Sequence, residues 1–228
     1  MTADVRIAEV AALVGDPARA NILAALMGGQ ALTAGELVHA AGVSPQTTSG
    51  HLGKLADGQL IACVKQGRHR YYRIATPRVA EMLEGIMAVI ADSPPRHRPA
   101  SKLDDAMRNA RTCYDHVAGK LGVGMTDALC ARGHLVLTDE GGEVTDTGVT
   151  FLEELGVDLA TARSRRRIFC RPCLDWTERR PHLGGTVGAV LAQRCFDLKW
   201  LQRMRDSRAL LVTPAGRRGL NDAFGLSL

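Results

Sequence analysis

Between residues 5 and 92 the hydrophobic positions recur at helical spacing and are separated by helix-start signals. A short amphipathic stretch at 5–14 is followed by Asp16-Pro17, by Thr33 with Glu36 three residues on, and by Ser44-Pro45. Asp, Thr and Ser side chains cap helix N-termini, and Pro is favoured at the first helical position. The pattern predicts four consecutive short helices.

The pattern then changes to two short runs rich in β-branched and aromatic residues, within LIACVKQGRHRYYRIA. They flank Gln66-Gly67-Arg68-His69, which predicts a β-hairpin with a basic tip. Thr76-Pro77 starts a further helix that ends near Ala91. We therefore predict a winged helix-turn-helix domain over residues 1–92, and a proline-rich basic linker over 93–101.

The remaining chain, residues 102–228, resembles itself when it is shifted so that His116 aligns with His182. Gly119 and Gly122 then align with Gly185 and Gly188. We predict two helix–hairpin–helix repeats at about 113–160 and 179–228. The expected fold class is mainly α with small β-hairpins (α+β).

Charge is concentrated in the predicted helix-turn-helix. The 228-residue chain has a formal net charge of +5, and residues 37–80 carry six basic residues against one acidic residue. Asp4 and Glu9 argue against a signal peptide, and the apolar stretches are too short to cross a bilayer. We expect a cytoplasmic protein without membrane contact, whose six cysteines are thiols.

The helix at 44–57 has an outward face of small polar side chains, which suits the major groove of duplex DNA. Gln46 can pair with adenine, and the basic hairpin can contact phosphates. A merely solvated surface is the alternative, but the order and spacing of these elements favour DNA. The predicted DNA contacts are Ser44, Gln46, Thr47, Ser49, Gly50, His51, Lys54, Lys65, Arg68, His69, Arg70 and Tyr71.

The motifs D-P-x-R-x-x-I-L, S-x-x-T-x-S-x-H-L-x-x-L and G-R-x-R-Y-Y over residues 5–92 resemble the ArsR/SmtB family of winged-helix repressors. The resemblance implies a homodimer formed by the helices near 5–14 and 77–90, bound to a palindromic double-stranded DNA operator. The wider winged-helix class, including MarR-like regulators, is the alternative. We expect a DNA-binding transcriptional regulator, a repressor.

The chain departs from the family's metal-sensing pattern. The helix before the recognition helix has no cysteine, and the fifth helix lacks the paired Asp/His ligands. We therefore expect the C-terminal domain to receive an effector. Its candidate ligands for zinc or a thiophilic metal are Cys113, His116, Cys170, Cys173 and His182, with Cys113 and His116 on one face if their segment is helical.

Three alternatives stay open at this point. A small organic effector could bind near Trp176, Tyr114 and Arg179-Arg180, or the C-terminal domain could only stabilise the dimer. The chain has no Walker, Rossmann or G-x-S-x-G motif, so we expect no enzyme. The alternative from another class is a thiol- or cofactor-dependent redox or metal-handling protein whose winged helix binds other proteins.

Overall fold

A computed structural model describes residues 3–66, 69–91, 102–138, 141–164, 166–205 and 207–228. It divides into two compact units, Met1–Leu83 and Glu84–Leu228. The predicted linker at 93–101 lies outside the described residues, and the division between the units falls earlier, at Leu83. No helix of the described segments is long and apolar enough to span a membrane.

The first unit contains the predicted run of four helices. Each predicted cap is present: Asp16 accepts from the backbone N–H of Arg19, Thr33 and Glu36 form a capping box, and Ser44 accepts from Thr47. These caps satisfy N–H groups that a helix start leaves unpaired. The helices are α1 (Ala3–Val14), α2 (Pro17–Leu26), α3 (Ala34–Ala41) and α4 (Pro45–Asp57).

A three-stranded antiparallel sheet completes the winged helix-turn-helix. The predicted hairpin is formed by β2 (Ile61–Gln66) and β3 (His69–Ile74), and a short strand, β1 (Leu32–Thr33), pairs with β3. The strand order is β1-β3-β2. The sequence pattern did not indicate β1, because two residues are too few to show alternation. Helix α5 (Pro77–Ala91) follows the sheet.

The interior of the first unit is apolar. Side chains from α2, α3 and α4 fill it, and burial of one such side chain contributes roughly 1.5–3 kcal/mol. Gly42 ends α3 in the left-handed conformation (φ 68°), which turns the chain toward α4. The fully buried side chains of these helices include Ile22, Leu23, Leu26, Leu37, Leu52 and Leu55.

The second unit consists of short antiparallel hairpins and helices. Its described elements, in chain order, are α6 (Lys102–Asn109), β4 (Arg111–Cys113), β5 (His116–Ala118), α7 (Gly119–Ala131), β6 (Leu135–Thr138), β7 (Gly141–Val144), α8 (Asp146–Glu154), α9 (Leu159–Ser164), β8 (Arg171–Leu174), β9 (Pro181–Gly184), α10 (Gly185–Asp197), β10 (Leu201–Arg203), β11 (Leu210–Val212) and α11 (Pro214–Phe224).

Each half of this unit begins with a hairpin that the sequence analysis did not predict. β4–β5 precedes α7, and β8–β9 precedes α10, so each half has a hairpin in front of the predicted order of helix, hairpin and helix, and α9 follows α8 in the first half. The aligned glycines Gly119 and Gly185 both adopt positive φ, 80° and 78°, where strand passes into helix. An L-residue is strained there, which explains why glycine stands at both positions.

Candidate nucleic-acid interface and metal centre

Helix α4 presents a polar and sterically open face. Gln46, Thr47, Ser49 and Lys54 are exposed, whereas Thr48, Leu52 and Leu55 are buried on the opposite face. A Cβ added at Gly50 would contact nothing within 4 Å. Ser44 caps this helix, and its hydroxyl lies 2.8 Å from that of Thr47. Small residues on this face allow another surface to approach the backbone closely.

His51 is placed differently from the other residues predicted to contact DNA. Its side chain is mostly buried, with Nδ1 3.4 Å from Arg19 and 3.9 Å from Asp16. Arg19 also donates to the backbone carbonyls of Ala12 and Leu13, at 2.7 Å each. His51 therefore packs against the junction of α1 and α2, and its side chain is not part of the exposed face of α4.

The hairpin β2–β3 is the wing of this domain, and it carries the other residues predicted to contact DNA. Lys65 and Arg70 are exposed and lie opposite each other in the register, and Tyr71 is half-buried. His69 belongs to β3, but its side chain lies outside the described part, as does Arg68 at the tip. The two described cations can face a phosphate backbone.

In the second unit, four of the five predicted metal ligands come together. Cys113 pairs with His116 across hairpin β4–β5, and Cys173 pairs with His182 across hairpin β8–β9. All four side chains are buried, and their ligand atoms lie within 4.8 Å of one another. Each hairpin thus supplies one thiol and one imidazole from directly opposed positions.

The segment from Cys113 to His116 is not the helical turn on which their proximity was predicted. It is a tight β-turn with Tyr114 at φ 57° and Asp115 at its centre. Residues three apart are neighbours on a helix and also across a two-residue turn. The predicted proximity is therefore observed for a different reason.

Cys170 does not join the other four ligands. It is buried in the main apolar cluster of the second unit, and a Cβ added at Gly142 would lie 2.7 Å from its sulfur. Burial raises the pKa of Cys170 to about 12, which keeps it a neutral thiol. Cys170 is a packing residue because it precedes β8, whereas Cys173 lies within β8 opposite His182.

The two halves interlock around the histidines. α7 packs on β9, and α10 packs on β5. A Cβ added at Gly188 would lie 3.2 Å from Cβ of His116, and one at Gly122 would lie 3.7 Å from Cβ of His182. Both glycines make room for a backbone carbonyl, of Val117 and of Leu183, which lies 2.3 Å from the added Cβ, and Gly188 also makes room for His116. The two rings are buried with their centroids 5.0 Å apart.

A carboxylate lies near Nδ1 of each imidazole, and one of the two forms a hydrogen bond. Asp115 Oδ1 lies 3.3 Å from His116 Nδ1, and Asp175 Oδ2 lies 3.7 Å from His182 Nδ1. The second distance is beyond a hydrogen bond, so His182 has no hydrogen-bonded partner at either nitrogen, and His116 has none at Nε2, among the described atoms. Buried polar atoms usually have partners, so these nitrogens call for an explanation.

Each carboxylate near the cluster has an arginine partner of its own. Arg111 donates to Asp175 at 2.8 Å, Arg171 donates to Glu84 at 2.7 Å, and Arg167 donates to Asp115. Arg111 and Asp175 are both fully buried, and Asp175 also accepts from the backbone N–H of Gly119 at 2.6 Å. The carboxylate charges are therefore balanced without help from the histidines or thiols.

Hydrogen bonding within the cluster shifts the proton affinities of its members. The bond with Cys173 lowers the pKa of the Cys113 thiol well below its usual range and raises that of Cys173 well above it. Burial opposes a charged imidazole, but the bond with Asp115 and the nearby Cys113 sulfur raise the pKa of His116 to about 10. Burial lowers the pKa of His182. Cys113 is thereby favoured as a thiolate, the form that binds metals.

The sequence analysis did not identify the supporting residues Glu84, Asp115 and Asp175. The position of Asp115 beside His116 could have indicated it, because a carboxylate commonly orients a ligating histidine. Glu84, the first residue of the second unit, lies 3.6 Å from the Cys113 sulfur but is distant in sequence, so no local pattern could indicate it.

The alternative site for an organic effector contains aromatic rings that are covered by arginines. The Arg111 guanidinium lies over the Trp176 ring, 4.4 Å from its centroid, and Arg167 lies over Tyr114. Arg180 pairs with Asp127 at 2.6 Å on the surface. Both aromatic rings thus pack against the cations that support the Cys/His cluster.

Comparison with known proteins agrees with this geometry. A helix-turn-helix domain model matches residues 14–64. The chain is 40% identical over 211 residues to YdfF of Bacillus subtilis (strain 168), an HTH-type transcriptional regulator, covering 92% of this chain and 93% of that protein. This chain belongs to the HTH-type transcriptional regulators. The regulator contains the four helices, the hairpin and the fifth helix that the sequence pattern predicted.

Solved structures similar to the regulator cover less of it. The homodimeric winged helix-turn-helix domain of Mb0332 from Mycobacterium bovis is 25% identical, covers 42% of this chain and 88% of that chain, and has a TM-score of 0.37. Rv0081 of M. tuberculosis is 29% identical, covers 40% of this chain and 92% of that chain, and has the same TM-score, 0.37.

Proposed function

We propose that the regulator is a repressor that binds a palindromic DNA operator as a homodimer, and that its second unit receives the effector. The observation that carries this proposal is the face of α4. Side chains suited to base edges are exposed there, and the glycine at position 50 leaves the backbone open to close approach. The buried face holds the helix in place through Leu52 and Leu55.

Two kinds of contact follow from the side chains that are exposed. Gln46 has the donor and acceptor pair that matches the major-groove edge of adenine, and Thr47 and Ser49 can bond to bases or phosphates. Lys54, Lys65 and Arg70 carry charge that suits phosphates and supplies affinity independent of sequence. Specificity then comes from α4, and salt-sensitive affinity comes mainly from the wing.

A dimer is supported by the apolar surface of the helices that the ArsR/SmtB resemblance assigns to it. Ile7 on α1 is 68% exposed, and Val89 on α5 is 71% exposed. Association surfaces are contiguous apolar patches, and an exposed apolar side chain on each of these helices is what a patch shared by two copies requires. A two-fold dimer would carry two copies of α4 to two half-sites, which is why the operator is expected to be palindromic.

The second unit is proposed as the effector unit because the thiol and imidazole ligands of this chain are gathered there, whereas the helix before the recognition helix has no cysteine. The thiols of Cys113 and Cys173 and the unpartnered histidine nitrogens are gathered at one buried point. An effector can change operator affinity only by binding the DNA-competent and incompetent dimers with different affinities.

The same thiols support a second candidate, a redox protein in which Cys113 and Cys173 form a reversible disulfide. The lowered pKa of Cys113 favours such chemistry. The two candidates differ in their dependence on DNA: the redox candidate requires no operator, and substitutions on α4 would not affect it.

The test begins with selection of operator DNA from a random pool by the purified full-length protein. We expect a palindrome, and we expect Gln46→Ala to reduce discrimination at one position of each half-site by about 1–3 kcal/mol. Arg70→Ala should weaken binding to all sequences and reduce the salt slope by about 1. Fluorescence anisotropy at several salt concentrations measures both effects.

Arg217→Ala is the matched control, because it removes an equal charge from the surface of the second unit. It should leave the salt slope unchanged. Failure to select any DNA sequence, or equal effects of Arg70→Ala and Arg217→Ala, would contradict the proposed interface. Sedimentation of the same samples reports whether the protein that binds DNA is a dimer.

A further inference from the structure

We propose that Cys113, His116, Cys173 and His182 form a tetrahedral zinc site that fastens hairpin β4–β5 to hairpin β8–β9. This inference goes beyond the proposed repressor function and stands whether or not the protein binds DNA. It rests on the position of the ligand atoms, on buried nitrogens without partners, and on the charge of the surroundings.

The geometry is close to that of a formed site. With zinc–sulfur bonds near 2.3 Å and zinc–nitrogen bonds near 2.0–2.1 Å, neighbouring ligand atoms of a tetrahedron are about 3.3–3.8 Å apart. The four ligand atoms already lie within 4.8 Å of one another. Small side-chain rotations bring them to bonding distance without any change in the strand register.

The unpartnered nitrogens are the second observation. His116 Nε2 and both ring nitrogens of His182 are buried without a hydrogen-bond partner among the described atoms. Leaving a buried polar group unsatisfied costs about 1–3 kcal/mol. A metal ion accepts the lone pair of one nitrogen from each ring, so it would satisfy two of these three nitrogens.

The remaining nitrogen of each ring faces a carboxylate. His116 Nδ1 is 3.3 Å from Asp115, and His182 Nδ1 is 3.7 Å from Asp175. A carboxylate on the far nitrogen of a ligating histidine fixes the ring and its tautomer, so that Nε2 is free for the metal. His116 shows this arrangement, whereas Asp175 faces His182 Nδ1 from beyond hydrogen-bond distance.

Charge balance indicates a divalent cation. Asp115, Asp175 and Glu84 each have an arginine partner, so these groups cancel one another. Coordination by Cys113 and Cys173 as thiolates places two negative charges at the centre, and a divalent cation neutralises them. Such charges are stable in a protein interior only when they are paired or coordinate a metal.

The ligand set selects the metal and its role. Two sulfurs and two nitrogens in a tetrahedron are typical of zinc. All four positions are filled by protein and are buried, whereas a catalytic zinc keeps one position open. The site is therefore structural. Each half of the unit contributes one cysteine and one histidine, and the metal joins the two halves.

The direct experiment is the metal content of full-length protein purified without chelators, measured by plasma mass spectrometry. We expect about one zinc per chain in the wild type, as in a four-ligand structural site. Cys173→Ala should lose the metal. Cys170→Ala should retain it, although both thiols are buried, because the Cys170 sulfur lies in the apolar cluster.

A second measurement keeps the test decisive if Cys173→Ala does not fold. Asp115→Asn should weaken zinc binding about 10–100-fold in competition with a chromophoric chelator, because Asp115 orients His116. Asp127→Asn, which changes an exposed carboxylate of the same unit, should leave zinc affinity unchanged. Wild-type protein loaded with Co²⁺ should show the visible bands of a tetrahedral site with thiolate ligands.

Wild-type protein that contains no zinc and gives no such bands with Co²⁺ would overturn the proposal. A Cys113–Cys173 disulfide in the purified protein, together with no metal binding after its reduction, would also overturn the proposal. The two cysteines would then be a redox pair. Equal zinc loss in Cys170→Ala and Cys173→Ala would also refute the ligand set. None of these measurements involves DNA, so their outcome is independent of the repressor proposal.

Discussion

The interiors of the two units differ in kind. Among the described residues of the first unit, Thr48 is the one buried polar side chain, and it bonds locally to the carbonyl of Ser44 at 3.0 Å. The second unit buries charged and ionisable side chains at its centre: Glu84, Arg111, His116, Asp175 and His182. The polar side chains of the first unit therefore lie mainly on its surface, whereas the second unit also has ionisable side chains in its interior.

Because of this difference, we expect substitutions of polar residues to affect binding in the first unit and stability in the second. A surface site such as α4 can change its polar residues with little effect on folding, because these side chains are already solvated. A buried polar cluster has no such freedom: every charge needs its partner, and removal of one partner leaves the other buried and unpaired. The two units should therefore respond oppositely to substitution.

The largest effect is expected for Arg111→Met. This change leaves Asp175 buried without its cation, so the free energy of unfolding of the second unit should fall by about 3–5 kcal/mol. Both tryptophans, Trp176 and Trp200, belong to this unit, so urea unfolding followed by tryptophan fluorescence reports its midpoint.

Arg180→Met provides the control for that measurement. Arg180 and Asp127 form an ion pair whose side chains are 58% and 45% exposed, and exposed pairs contribute at most about 1 kcal/mol. If the two arginine variants unfolded at the same urea concentration, the buried network would not be the source of stability that we describe.

A smaller loss is expected for Gly122→Ala in α7. The added Cβ would lie 2.3 Å from the carbonyl oxygen of Val117 and 2.7 Å from its carbonyl carbon, so the backbone would have to move. Overpacking of this kind costs about 1–3 kcal/mol. The same fluorescence measurement should show the loss, and unchanged stability would mean that the close packing of helix and hairpin is not required.

The opposite sign is expected for Gly50→Ala in α4. Alanine is favoured over glycine within a helix by up to about 1 kcal/mol, and a Cβ at position 50 meets nothing within 4 Å. The amide hydrogens of α4 should exchange more slowly in full-length protein, as measured by mass spectrometry. Operator affinity should fall, because the methyl group occupies the face that approaches DNA; faster exchange would contradict this prediction.

Much of the first unit was predictable from local sequence. Its helix starts depend on contacts between residues three apart, such as Asp16 with Arg19 and Thr33 with Glu36. Such contacts form wherever the chain begins a helix, so the sequence pattern indicates them directly. The polar face of α4 was predicted for the same reason, since one helical period assigns both its buried and its exposed residues.

The candidate metal centre was predictable only in part. Histidines and cysteines at matching places of two similar segments indicated a shared site, and four of the five predicted ligands do meet. Nothing local distinguishes Cys170 from Cys173, because the choice depends on which residue lies opposite His182 in a hairpin that the pattern did not reveal.

What the sequence by itself determined is therefore the helix order and caps of the first unit, and the residue types available for a metal site in the second. Tertiary structure alone decided which of those residues meet. The pairing of Cys113 with Cys173 and the approach of Glu84 join parts of the chain that are distant in sequence. Such contacts depend on how hairpins and helices pack, and a local period carries no information about that packing.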